Sequence, residues 1–500
     1  FKDLGRPSPV DKELWVWSMA LGPDRKIYAG SSPSAKLIRL DPVSGRLEVL
    51  GRMDPSQPYI RSIAASSDGF VYMAVGMEET KIVAYEISTG RFKDILPQAY
   101  HRHGEEPPRI ELGQDGKVYA FYSTPPIQVF RLEKWTATPR LPGVAIVPRI
   151  KLKRGDSLFV DSSNRISLKS STGKQIRMVP IDYRGRERTV ARLALGPDGR
   201  LYIGGAITFN LMSVDPVKHD LTDVGVLGGG EAYSFLPVEG KLAMAVYDGF
   251  KGNTLMLLDP SRPLDIDDDP PHNPAVVPSA KSFGYWRPLA MIMGSDKQVY
   301  IGGLPSYGID TGVLTVWNPK SGIVKTHEVC EKQSINSLCY SAGRIIAGTT
   351  IVGGTGTKPS TTNAKLFQWN PDTKKKDVEI IPVPGSPTIN DLVNLPDGKV
   401  FGVALRDRPF VYDPYTGKVK VFASLPFECG SIYNGAAMGS DGKIWGLSKQ
   451  GIFYIDPISF TGRIAYTPAS PITAGFAIDE RAVYFACGAD VFRYIYRSAP

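Results

Sequence analysis

One turn signature repeats from end to end of this 500-residue chain, and it constrains the fold more than any other feature. Its fullest copy is LALGPDGRLYIGG at residues 193–205. Clear relatives are LGPDRKIYAG from Leu21, SSDGFVYMAVG from Ser66, LGQDGKVYAFY from Leu112, GSDKQVYIGG from Gly294, LPDGKVFGVA from Leu395 and GSDGKIWGLS from Gly439. Weaker copies fall at 237–243, 341–348 and 479–486, with a fainter one near 161–167. The spacing, roughly 35 to 57 residues, is that of β-propeller blades.

Each copy encodes strands by turn chemistry. At 190–215 an apolar strand meets Pro197-Asp198-Gly199, where proline presets φ and glycine accepts a positive one. A second strand starts at Leu201 and ends in a glycine pair, and a third stops at Asp215-Pro216. The same Asp-Pro or Asn-Pro stop recurs at Asp41, Asp259, Asn318, Asn370, Asp413 and Asp456. Where it runs on into Ser-Gly or Thr-Gly, a polar fourth strand follows, as at 46–50. Four short antiparallel strands make one blade, with the most apolar strand innermost and the most charged outermost.

About eleven such units fill residues 1–500 as one continuous all-β propeller array, more than the four to eight blades usual in a ring. One large ring and two smaller rings both remain open, and the Asp/Pro-rich stretch at 259–283 is the best candidate division. The last unit shows three strands, whereas Phe1-Lys-Asp-Leu-Gly-Arg6 matches the outer-strand pattern Leu47-Glu-Val-Leu-Gly-Arg52. The expectation is that the N-terminal strand completes the last blade and removes a sheet edge.

Composition narrows the class of partner. No apolar run approaches a membrane span. The net charge of +9 favours an anionic partner, yet it is spread along the chain, and no basic motif with interleaved aromatics points to nucleic acid. Cys330, Cys339, Cys429 and Cys487 show no C-x-x-C spacing, so they read as buried thiols or as one Cys330–Cys339 pair. A chain starting at Phe1 without Met reads as a processed secreted or periplasmic protein, or as a trimmed one.

In a propeller the loops entering the innermost strands surround the central channel on one face. Counting back six or seven residues from each turn Asp gives Trp17, Arg61, Arg109, Arg192, Tyr233, Asn336, Asn390 with Asp391, and Asn434. Just upstream lie Trp15, Tyr59, Glu231, Tyr433 and Tyr285-Trp286-Arg287. Arginine presents a planar fork to carboxylate or sulfate. Tryptophan and tyrosine offer flat faces on which sugar rings stack. The set fits an acidic saccharide, with polar residues that merely satisfy strand ends as the plain alternative.

Histidine is scarce, and two of the five fall in Tyr100-His101-Arg-His103, just before Arg109. Uronate β-elimination needs such an inventory: a cation on the carboxylate, a base for the C5 proton and an acid for the leaving oxygen. Tyr100, His101 and His103 are therefore the catalytic candidates. Arg61, Arg109, Arg192 and Arg287 are the carboxylate binders and Trp17, Tyr233 and Trp286 the sugar platforms, with Tyr59, Tyr285, Asn336, Asn390 and Asn434 as further substrate-binding candidates. No cofactor is required. A glycoside hydrolase or a metal-dependent lactonase, holding a divalent ion such as calcium on Glu231, Asn336, Asn390, Asp391 and Asn434, is the nearest enzymatic alternative. A non-catalytic propeller that binds a protein or glycan is the other class.

The repeat, as in Asp68-Gly-Phe-Val-Tyr72 and Asp198-Gly-Arg-Leu-Tyr202, resembles the propellers of streptogramin lyases and the lactonase-like superfamily. With its His, Tyr and Arg inventory the chain is also similar to propeller polysaccharide lyases acting on ulvan or on rhamnose–glucuronate linkages. That resemblance implies a secreted lyase of uronate-containing polysaccharides. It carries no site residues over, because the shared pattern is turn chemistry.

Overall fold

The computed structural model describes the whole chain except residues 1–12, 14, 104, 114, 123–125, 141–155, 161–164, 181–188, 248–252, 267–271, 278–283, 406, 430, 431, 433 and 498–500. It is all-β. Among the described residues, eleven antiparallel sheets follow one another in sequence, nine of four strands and two of three, each a meander of neighbouring strands. We number them 1 to 11 in chain order.

The repeat signature is explained by a small hydrogen-bonded device between the first and second strands. In 196–202 the Asp198 carboxylate accepts from the Arg200 backbone N–H at 3.3 Å and from the Tyr202 hydroxyl at 3.0 Å. The same aspartate–tyrosine bond recurs at Asp24–Tyr28, Asp115–Tyr119, Asp296–Tyr300 and Asp479–Tyr484, and as Asp441–Trp445 in sheet 10. The aromatic ring of the second strand thus folds back over its own turn, buried against the next sheet.

The Asp-Pro stop is a second device, between third and fourth strands. Asp215 Oδ1 accepts from the N–H groups of Val217 and Lys218, both at 2.9 Å, as an Asx turn does. Asp41, Asn318, Asn370, Asp413 and Asp456 repeat it.

The chain divides into two compact units, 1–185 and 186–500. The first holds sheets 1 to 4. Sheets 1 and 2 pack through Tyr28, Ile60, Val71 and Val83, and sheets 2 and 3 through Phe70, Tyr72, Ile110 and Phe130. The outer-strand pattern at residues 1–6 lies outside the described residues.

The second unit is a seven-bladed propeller made of sheets 5 to 11. Each sheet packs on the next through its own apolar cluster, with Phe209 and Phe235 between sheets 5 and 6, and Trp445 and Phe485 between 10 and 11. A further cluster closes the ring by joining Val190, Leu193 and Ile203 of sheet 5 to Ala474, Ala477 and Tyr484 of sheet 11. The Val190 N–H donates to the Gly488 carbonyl at 2.9 Å across that seam. The first strand of every sheet lies innermost, which brings Val190–Leu195, Glu231–Val238, Arg287–Met293, Ser334–Ser341 and Ile389–Asn394 around one axis. Of the Asp/Pro stretch at 259–283, residues 259–266 and 272–277 are described; they follow the third strand of sheet 6 and include its short fourth strand, Ala275–Val276.

The four cysteines are buried free thiols. No helix among the described residues is long and apolar enough to cross a membrane.

Candidate functional site

The loops entering the innermost strands and those joining second to third strands emerge on the same face of the seven-bladed unit. Around its axis that face opens into a cavity of 360 Å³ lined by Arg192, Glu231, Tyr233, Leu289, Ile432 and Thr473, among others. A larger hollow of 570 Å³ lies elsewhere, between sheets 5 and 11, beside the outer strand of three-stranded sheet 11. Its wall is mostly apolar blade packing, with Asp215, His219, Asp490 and Arg493 at its polar edge.

Glu231 and Tyr233 begin the inner strand of sheet 6. The Tyr233 hydroxyl donates to Glu231 Oε1 at 2.5 Å. Burial first, and the Glu231 charge second, push the phenol far above its ordinary range. Arg287, at the start of the inner strand of sheet 7, opposes that shift. Its guanidinium donates to Thr355 Oγ1 at 3.0 Å and stands 5.8 Å from the Tyr247 ring centre. Trp286 fills the space between Tyr247 and Tyr307, with ring centres 5.5 and 5.0 Å away, and those two tyrosine hydroxyls lie 3.0 Å apart. All four of these aromatic and guanidinium groups are half-buried, each keeping part of its surface open.

Deeper on the axis, Arg192 Nη1 donates to the Gly475 carbonyl at 3.1 Å. Burial pulls its guanidinium down to about 10, partly offset by the charge of Asp391, so it remains a cation at neutral pH. Asp391 responds in the opposite sense. Burial pushes its carboxyl up to about 7, against the Gly435 N–H and Arg192. Asn434 holds a positive φ of 44° and donates to the Leu289 carbonyl at 2.7 Å, from sheet 10 to sheet 7.

Arg192, Tyr233, Trp286, Arg287 and Asn434 thus share the channel face of the second unit. Asn336 and Asn390 lie near it, but their amides are committed to the seam between sheets 8 and 9. Asn336 Nδ2 donates to the Ile389 carbonyl at 3.0 Å and Asn390 Nδ2 to the Leu405 carbonyl at 2.8 Å. Tyr285 is buried in the apolar cluster between sheets 6 and 7. No group of three or more His, Cys, Asp or Glu among the described residues is placed to hold a metal ion.

The first unit gathers Trp17, Tyr59 and Arg61. The Arg61 guanidinium lies 4.4 Å from the Trp17 ring centre and 5.9 Å from that of Tyr59, and it pairs with Glu106 at 3.1 Å. Arg109 is largely exposed and pairs with Glu111 at 2.7 Å. The histidine pair separates in role. His101 has 5% side-chain exposure, with Nδ1 2.8 Å from Glu79 Oε1 and Nε2 3.0 Å from the Leu96 carbonyl and 3.2 Å from Asp94 Oδ2. Tyr100 packs its ring edge-on against Phe130. His103 is exposed.

Sequence reasoning missed Tyr247, Tyr307 and Thr355. Tyr247 ends the second strand of sheet 6, and Tyr307 and Thr355 follow the second strands of sheets 7 and 8, so counting back from the turn Asp passes them by. For the two tyrosines, an aromatic residue at or just after the end of a second strand is the available signal.

No known protein-family model matches the chain, and no curated protein matches it either. Two solved structures of the extracellular domain of BT4673 from B. thetaiotaomicron are similar to it. One is described as a one-component system, at 15% identity and a TM-score of 0.43, and the other as a hybrid two-component system, at 14% and 0.45. Both alignments cover 96% of this chain and 64% of the other, so the chain spans less than two thirds of those domains.

Proposed function

We propose that the seven-bladed unit is a binding propeller for an acidic saccharide, recognised at the channel mouth. The observation that carries this reading is the cluster of Tyr247, Trp286 and Tyr307 beside Arg287, next to Glu231 and Tyr233. The aromatic faces supply stacking area and tyrosine hydroxyls for sugar edges, and the guanidinium fork meets a carboxylate. Burial raises the strength of that charge-assisted pairing.

Binding is favoured over elimination by the state of the available bases. A catalytic base works best when its own ionisation lies near the operating pH. Tyr233 is driven the other way by burial and by Glu231. His101 in the first unit has acceptors against both ring nitrogens, which leaves no lone pair directed at a substrate. A secreted or periplasmic location belongs to this proposal.

The test is calorimetric titration of the protein with oligogalacturonates and oligoglucuronates, with cello-oligosaccharides as the neutral control, while absorbance of unsaturated uronate is followed in parallel. The reading expects saturable binding of an acidic sugar, weakened at least about tenfold in Arg287→Ala, with flat absorbance. Rising absorbance would restore the lyase reading, and equal affinity for neutral sugars would remove the role of Arg287.

A further inference from the structure

Below the mouth, the inner strands and the start of sheet 10 enclose a second cavity of 130 Å³, which shares Arg192 and Leu289 with the first. Its wall carries one carboxylate, Asp391, at 1% exposure. Oδ1 accepts from the Gly435 N–H at 2.7 Å. Oδ2 is buried and has no hydrogen-bond partner among the described residues. Leaving a buried carboxyl oxygen without a hydrogen-bond partner is costly, and such groups are rare in folded proteins. The neighbouring donors are committed elsewhere: Ser234 Oγ to the Pro288 carbonyl at 3.0 Å, and Asn434 Nδ2 to Leu289. The donor that completes Asp391 therefore has to come from whatever fills the cavity.

Charge decides what kind of donor fits. Arg192 lines the same cavity and already offsets the carboxylate. A cationic donor would leave the chamber with a net positive charge in a low-dielectric setting, whereas a hydroxyl adds none. Asn434 and Gly435, just before the first strand of sheet 10, bond to Leu289 of sheet 7 and Asp391 of sheet 9, so this loop end forms part of the chamber wall. The volume suits a few waters or the end of a sugar.

Building on the binding function proposed above, we infer that the inner chamber is an end-recognition subsite, in which a hydroxyl of the ligand's terminal sugar donates to Asp391 Oδ2 while its acid group stays at the mouth. The ligand class is then a short acidic oligosaccharide read by its end. An internal stretch of a polysaccharide, which has no end to insert, is excluded from the chamber.

The experiment titrates wild type, Asp391→Asn and Arg287→Ala with three probes: trigalacturonate, its methyl glycoside at the reducing end, and the same trisaccharide methylated on its non-reducing terminal residue. The expected result is that one capped probe binds wild type at least about tenfold more weakly than the free trisaccharide. Asp391→Asn should lose a similar factor for the free trisaccharide and should no longer discriminate against that cap. Equal binding of all three probes to wild type overturns the inference, as does wild-type affinity in a folded Asp391→Asn. If trigalacturonate binds both proteins alike and is lost only in Arg287→Ala, the end-recognition inference falls and the binding reading stands. If it does not bind wild type, both fall. Should Asp391→Asn fail to fold, the capped probes on wild type decide the matter alone.

Discussion

Substituting Gly196 by alanine isolates the device that repeats along the chain. In five sheets the residue two positions before the turn aspartate is glycine: Gly22, Gly113, Gly196, Gly294 and Gly439. A Cβ on Gly196 would lie 2.3 Å from Tyr202 Cε2 and 2.7 Å from Asp198 Oδ1, where carbon contacts normally settle near 3.5 Å or more. The ring must retreat by about 1 Å, but it is 3% exposed and packed in the cluster of Phe209, Leu211 and Phe235. Losing the Tyr202–Asp198 bond costs about 0.5–1.5 kcal/mol. Forced repacking adds about 1–3 kcal/mol. Sheet 2 shows the outcome natively: Ser66 stands in the glycine position, its hydroxyl takes Asp68, and the Tyr72 hydroxyl has no partner among the described residues. That accommodation places Gly196→Ala at about 2–3 kcal/mol, measured by urea denaturation of the variant against wild type. Gly199→Ala is the control. Its φ is 77° with nothing within 4 Å of a Cβ, and Arg25 and Lys297 occupy the equivalent corner at φ 62° and 61°. Conformation alone should cost about 1 kcal/mol there. A Gly196→Ala cost no larger than that of Gly199→Ala would refute the crowding argument.

His101→Ala should destabilise the first unit by about 1–3 kcal/mol, because Glu79, Asp94 and the Leu96 carbonyl lose a shared buried partner. It should leave uronate affinity unchanged, and a loss of binding without a loss of stability would contradict the structural role. Asp391 titrates near 7 when folded against about 3.9 unfolded, so the folded state holds its proton more tightly. Its contribution is fully present below about pH 4 and is lost as pH rises toward 7. Asp391→Asn should therefore gain stability relative to wild type between pH 5 and 8 in urea melts at each pH, and parallel curves would contradict this. Asn336→Ala should cost about 0.5–1.5 kcal/mol by removing its bonds to the Ile389 carbonyl and Asn390 Oδ1 at the seam of sheets 8 and 9, each of which keeps a second donor in Ser337 or Thr388. A change below about 0.5 kcal/mol would mean the amide is not a latch.

The fold was legible because its two turn devices are local. Asp198 with Tyr202, and Asp215 with the two N–H groups after it, each act within five residues, so the pattern survives in one dimension. How sheets combine into rings is not local. Closure between Val190 and Ala474 joins residues far apart in sequence, and nothing in either strand announces its partner. The channel face was legible in part for the same reason. Tyr233 sits at a fixed offset from its turn and is found by counting, and Trp286 and Arg287 lie just upstream of the counted position in sheet 7. Tyr307 and Thr355 belong to loops of variable length, and Tyr247 ends a second strand, where an offset counted toward the first strand carries no information. The histidines show the limit of inventory: His101 looks like a base in sequence, and its neighbours Glu79 and Asp94 are known only from the folded sheet.

The most direct test of the account is one titration of wild type with trigalacturonate, following tryptophan fluorescence alongside heat. The account predicts saturable 1:1 binding, a fluorescence change that disappears in Trp286→Ala, and affinity lost at least about tenfold in Arg287→Ala. Absence of binding to every acidic oligosaccharide, or binding that both variants retain in full, would contradict it.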